Sequence, residues 1–225
     1  MFGQSSCFVV ADGLGGHGGG DVASKAAVET VCTIFAEQGY SEHFFADVFK
    51  ASQEAILKKQ EEAHLLSQMK TTLVILVLHE GKSYYAHVGD SRLYLFTKHK
   101  QKMRTIDHSV PQMLALSGSI KESEIRHHPD RNKLMRVLGV KGDDPRYDEG
   151  VPVRHSGFQA YLLCTDGFWE LIDEEHMVAS LKESGSPDEW LSRMASIVSE
   201  NGKGKEMDNY TAIAVFERTK GLFGL

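Results

Sequence analysis

The run Thr71-Thr-Leu-Val-Ile-Leu-Val-Leu78 is continuously apolar and rich in β-branched residues. It narrows the possible folds more than any other segment. A strand with one wet face alternates polar and apolar residues, and this one does not, so both faces of its sheet must be covered. Gly81-Lys82 turns the chain into Tyr84-Tyr-Ala-His-Val88, and Gly89-Asp90-Ser91 turns it again into Leu93-Tyr-Leu-Phe96. Connections this short cannot hold a crossover helix, so the spacing predicts an antiparallel meander of these strands. Helices on one face and a second sheet on the other satisfy the burial. The expected fold is an α/β four-layer α/β/β/α sandwich of two mainly antiparallel sheets.

The rest of the chain supplies those layers. Cys7-Phe-Val-Val-Ala11 is a short buried strand. Between Asp21 and Gln38, Val22, Ala23, Ala26, Ala27, Val31, Ile34 and Phe35 recur at helical spacing, and Phe45, Val48, Phe49, Ser52 and Ile56 line a second helix. From about 108 to 150 the chain is more polar and reads as an inserted flap lobe. Gln159–Cys164 is another strand, followed by two helices, the second opened by the capping box Ser186-Pro-Asp-Glu189. Tyr210–Phe216 is the last strand, and Trp169 and Trp190 read as core anchors.

With 225 residues, the whole of 1–225 fits a single domain, expected to be monomeric. Its 25 Lys and Arg against 31 Asp and Glu give a formal charge of −6, which argues against nucleic acid or an anionic membrane as partner. No apolar run approaches the roughly 20 residues that span a bilayer, and the start shows no secretion signal. The cysteines, Cys7, Cys32 and Cys164, are scattered with no CxxC, which excludes a disulfide framework or a thiolate zinc site and fits a reducing cytoplasm.

Three apolar strands end in an aspartate beside a glycine: Asp12-Gly13, Gly89-Asp90 and Asp166-Gly167. A fourth strand is introduced by Asp208-Asn209. Taken singly, each aspartate is a turn former or a helix N-cap. Taken together they suggest convergence, because the end of one strand lies beside the start of its antiparallel neighbour. Such carboxylates would repel strongly unless cations sit between them. An all-oxygen donor set selects a hard ion, Mg²⁺ or Mn²⁺ with Ca²⁺ as a further candidate, over zinc. Gly13-Leu-Gly-Gly-His-Gly18 is a literal GxGxxG, but Asp12 would point its charge at a pyrophosphate, and no βαβ unit follows. No Walker loop, thiol-phosphatase loop or His-Glu-x-x-His is present. His17, in the glycine turn, could reach a substrate phosphate, although a surface histidine explains it as well. His87 reads as packed or hydrogen-bonded, and His127 and His128 as part of the lobe.

Several segments resemble, in order, the motifs of metal-dependent protein phosphatases of type 2C, bacterial branch. They are Val10-Ala-Asp12-Gly-Leu-Gly-Gly-His17, Val22-Ala-Ser24, Lys70-Thr-Thr-Leu73, His87-Val-Gly-Asp-Ser-Arg92, Thr105-Ile-Asp-His-Ser109, His128-Pro-Asp-Arg-Asn132, Cys164-Thr-Asp-Gly167 and Asp208-Asn-Tyr-Thr211. The resemblance implies phosphoserine and phosphothreonine hydrolysis on proteins by a metal-activated water, without a phosphoenzyme, in opposition to a bacterial kinase. It implies that Asp12 bridges two Mn²⁺ or Mg²⁺ ions, that the Gly13 carbonyl helps hold one, and that Asp166 and Asp208 hold the other. Asp90, with Asp166, matches a weaker third-metal site. Leu14 stands where many eukaryotic members place a histidine proposed as general acid, and it has no proton to donate. The family also carries, upstream of the Asp12 motif, a strand with a phosphate-gripping arginine and an Asn-Glu-Asp, whereas Met1–Ala11 contains neither arginine nor acid. The expectation is therefore a truncated chain or a member lacking those groups, with an apolar sheet edge unpaired. The alternative function is an impaired phosphatase fold that captures a phosphoprotein.

Overall fold

Two antiparallel sheets face one another in the computed structural model, which describes residues 5–14, 19–63, 69–142 and 144–219. In chain order the elements are β1 (Ser6–Val10), β2 (Gly13–Leu14), α1 (Gly19–Gln38), α2 (Phe44–Glu62), β3 (Lys70–Thr71), β4 (Leu73–His79) and β5 (Lys82–Val88). There follow β6 (Arg92–Thr97), β7 (Lys100–Arg104), α3 (Val110–Leu116), a 3-10 turn (Glu122–His127), β8 (Asp148–Glu149) and β9 (Val153–Arg154). The chain continues with β10 (Phe158–Cys164), α4 (Asp166–Trp169), α5 (Glu174–Lys182), α6 (Pro187–Gly202) and β11 (Ala212–Arg218). The first sheet runs β1-β4-β5-β8, with β9 also on β5; the second runs β11-β10-β6-β7; β2 and β3 form a small pair of their own.

The unbroken apolar run of β4 is explained by its position. Leu73, Ile75 and Val77 pack beneath α1 and α2 with Ala27, Val31, Phe45 and Phe49. The intervening Val74 and Leu76 fill the space between the sheets with Leu93, Leu95, Tyr161 and Leu163. β10 repeats the pattern on the far side, where Leu162 packs with Phe168, Trp190 and Met194 under the outer helices. Each such side chain contributes roughly 1.5–3 kcal/mol by leaving water. Three stacked apolar layers thus separate the four layers of secondary structure.

Two details of the expected organisation differ. β4 and β5 pair as a hairpin, but β6 does not continue the meander; it pairs with β10 and β7 in the second sheet. The link Gly89-Asp90-Ser91 carries the chain from one sheet to the other. Gly89 has φ +96, and a Cβ there would lie 2.5 Å from Thr72 Cγ2, so only glycine serves at this crossing. Asp90 therefore sits at the seam between the sheets rather than at a hairpin tip. At α6, Ser186 Oγ accepts from Glu189 N–H, but the Glu189 carboxylate takes the Gly185 amide, one residue earlier than a capping box requires. The one-turn α4 precedes the two expected helices. In segment 108–150, α3 and the 3-10 turn form the lobe, and β8 returns to the first sheet. Residues 15–18, His17 among them, lie outside the described residues.

Candidate metal centre

Asp12 is fixed through its backbone. Its N–H donates to Thr72 Oγ1 at 2.9 Å, and its carbonyl accepts from the Thr72 N–H at 2.9 Å and from Thr71 Oγ1 at 2.8 Å. Thr72 Oγ1 also bonds Ser91 Oγ at 2.7 Å, tying this clamp to the Asp90 link. Gly13 lets α1 begin against β2, since a Cβ on it would lie 2.2 Å from the Gly20 carbonyl oxygen.

Asp166 and Asp208 arrive from antiparallel neighbours. Cys164 stands opposite Ala212, the Thr165 amide donates to the Thr211 carbonyl, and the Thr211 amide donates to Thr165 Oγ1. A Cβ on Gly167 would meet the Asn209 carbonyl oxygen at 2.4 Å, so the glycine is what allows the Asp208-Asn209 segment to lie against the start of α4. Asp166 Oδ1 accepts the Gly167 amide at 2.7 Å, and Asp208 Oδ1 accepts the Asn209 amide at 2.8 Å. Asp90 is only 5% exposed, and its carbonyl accepts from Trp169 Nε1 at 3.0 Å.

The electrostatics show that these acids share one region. Burial pushes Asp12 up to about 8, helped by the charge of Asp166, a hydrogen bond shared with it, and the charge of Asp208. Burial also raises Asp90 well above the carboxylate range, followed by the charges of Asp166, Asp107 and Asp12. Asp166 is raised by burial and by Asp208, partly offset by its hydrogen bonds to Asp12 and Gly167 and by the charge of Arg131. Asp12 and Asp166 form the hydrogen-bonded pair; exposed Asp208 acts on it by its charge, and buried Asp90 feels the charge of both.

Among the described residues, none of these four acids forms an ion pair, and no three His, Cys, Asp or Glu side chains are drawn round a single point. The donor set nevertheless fits a hard divalent cation, which is held by carboxylate and carbonyl oxygens and relieves like-charge repulsion between them. A cleft of about 600 Å³ opens beside the rim, bordered by Asp166, Gly167, Asp208, Arg131, Glu170 and Lys205. The sequence singles out the four aspartates but gives no role to Thr71 and Thr72, to the Arg131–Glu170 pair, or to Trp169 beyond packing. Those roles depend on contacts between residues far apart in the chain.

Comparison with known proteins gives the arrangement its family. The protein phosphatase 2C family model matches residues 2–210. Serine/threonine phosphatase Stp of Listeria monocytogenes is 35% identical over 217 residues, 92% of this chain and 82% of its own length. This chain belongs to the protein phosphatase 2C family. Among solved structures, the Mycobacterium tuberculosis serine/threonine phosphatase PstP/Ppp superposes with a TM-score of 0.80 at 25% identity, covering 98% of this chain and 96% of its own. A PstP catalytic domain in complex with two manganese ions gives a TM-score of 0.79 at 22% identity, covering 97% of this chain and 92% of that one. Its likeness is one of fold.

Proposed function

We propose that this type 2C chain is a metal-dependent serine/threonine protein phosphatase that removes phosphate from phosphoserine and phosphothreonine in proteins, opposing a kinase. The observation that carries the reading is the hydrogen-bonded Asp12–Asp166 pair within reach of the charges of Asp90 and Asp208, uncompensated by any ion pair among the described residues. The names of the relatives support the substrate class, and the two manganese ions bound to the PstP domain support Mn²⁺, with Mg²⁺ as the other candidate.

Asp12, with the Gly13 carbonyl, Asp166 and Asp208, is assigned to two ions, and Asp90 with Asp166 to a weaker third. Bound there, such ions lower the pKa of water and neutralise charge on attacking and leaving oxygens. The chain's own part is to hold the acids in register and to give up the proton that the Asp12–Asp166 pair retains near neutral pH. Leu14 has no proton to offer, so the leaving serine or threonine oxygen takes its proton from solvent. Phosphorylated proteins and their kinase are the partners inferred, with a monomer in the cytoplasm as the setting. No helix among the described residues is long and apolar enough to cross a membrane.

The test is release of inorganic phosphate from a phosphothreonine peptide. Release should require Mn²⁺ or Mg²⁺ and vanish in Asp166→Asn while the thermal midpoint in EDTA is kept. A chain that releases no phosphate at any concentration of either ion removes the assignment.

A further inference from the structure

Three arginines of the second sheet and the lobe have their terminal NH₂ groups engaged by acids and other acceptors. Arg92 gives Nε and Nη2 to Asp107, and Arg126 gives Nη2 to both Glu174 oxygens and Nη1 to the Ile172 carbonyl. Arg104 meets Gln112, Asp107 and Glu122. Arg131 is different. Only its Nε is engaged, at 3.0 and 3.1 Å from the two Glu170 oxygens, and neither terminal NH₂ group has a partner among the described residues. Its side chain is 41% exposed and lines the cleft that Asp166 and Asp208 border.

The position is built. The Arg131 amide donates to the His128 carbonyl, the Asp130 amide to His128 Nδ1, and the Lys133 amide to the Asp130 carbonyl, which closes two successive turns over residues 128–133. Glu170, at the end of α4, then anchors Nε from the element that also begins with Asp166. A guanidinium held by Nε at the edge of a cleft, with both remaining NH₂ groups unpartnered among the described residues, matches the planar fork that binds phosphate oxygens in pairs. A purely structural pair would be expected to use that fork on the carboxylate, as Arg92 does with Asp107.

We propose that Arg131 contacts the substrate's phosphoryl group, its terminal NH₂ groups donating to non-bridging oxygens, with Glu170 as the positioning residue that aims it. The proposal rests on the phosphatase reading above. Lys205, on the same cleft and without an ion pair among the described residues, adds a second positive charge.

The test compares the parent with Arg131→Gln and Arg131→Lys, all with Mn²⁺. Inorganic phosphate binding is measured by calorimetry and phosphothreonine-peptide turnover by phosphate release. A lost charge-assisted pair predicts phosphate binding and kcat/KM weakened on the order of 10- to 100-fold in Arg131→Gln, with partial recovery in Arg131→Lys. Phosphate binding in Arg131→Gln within two-fold of the parent, or no phosphate bound by the parent, overturns the proposal. A parent that binds phosphate in an Arg131-dependent way but turns over no peptide overturns the phosphatase reading and leaves this one standing.

Discussion

Asp12 carries the largest consequence of any single side chain. In the folded protein its carboxyl is pushed from the ordinary 3.8 to about 8, so between those values the folded state binds a proton that the unfolded chain has released. Stability in EDTA should therefore fall as pH rises from about 4 towards 8. A divalent ion displaces that proton, so the gain in thermal midpoint on adding Mn²⁺ should grow from pH 5 to pH 8. Melting curves at several pH values, with and without Mn²⁺, check this; a gain that is flat or shrinks with pH removes the shared-proton pair. Thr72 acts on the same residue through its hydroxyl, which is fully buried and bridges the Asp12 amide and Ser91. Thr72→Val keeps the shape but leaves those groups unsatisfied, with an expected loss of about 1–3 kcal/mol in urea unfolding and weaker Mn²⁺ binding.

Elements meet at the rim because glycines let them. With an alanine at 167, the Cβ would have to displace the Asn209 carbonyl, because 2.4 Å is closer than real contacts allow, and Asp208 would retreat with it. Gly167→Ala should cost roughly 1–3 kcal/mol and weaken Mn²⁺ binding more than it weakens folding, which a metal titration beside a melting curve separates. The sequence shows such glycines readily, each next to a strand-terminal aspartate. It also shows the apolar runs, the helical periodicities and the two-faced burial of β4, so the layers were legible. The path of β6 was not, because Gly89-Asp90-Ser91 suits a hairpin and a crossing between sheets equally well. The choice is made by β10, more than sixty positions away. The Thr72 clamp on Asp12 and the Arg131–Glu170 pair, separated by 60 and 39 residues, are likewise invisible to local pattern.

Across the whole molecule, the acids come from different layers. Asp12 follows β1 in the first sheet, Asp166 and Asp208 flank β10 and β11 in the second, and Asp90 sits on the link between them. An ion held by Asp12 and Asp166 together would therefore add a bridge between two sheets whose facing sides pack through an apolar layer crossed by the Ser83 Oγ–Tyr161 Oη hydrogen bond. Binding that favours the folded state adds about 2.7 kcal/mol at a hundred times the dissociation constant. The particular signature is where that energy appears. Amide exchange at Thr72, which holds Asp12, and at Thr165 and Gly167, which flank Asp166, should slow together as Mn²⁺ is added, although they belong to opposite layers. In Asp12→Asn the coupling should be lost on both sides. If Mn²⁺ protected Thr165 and Gly167 but left Thr72 unchanged, the ion would belong to the second sheet alone, and Asp12 would have no place among its ligands.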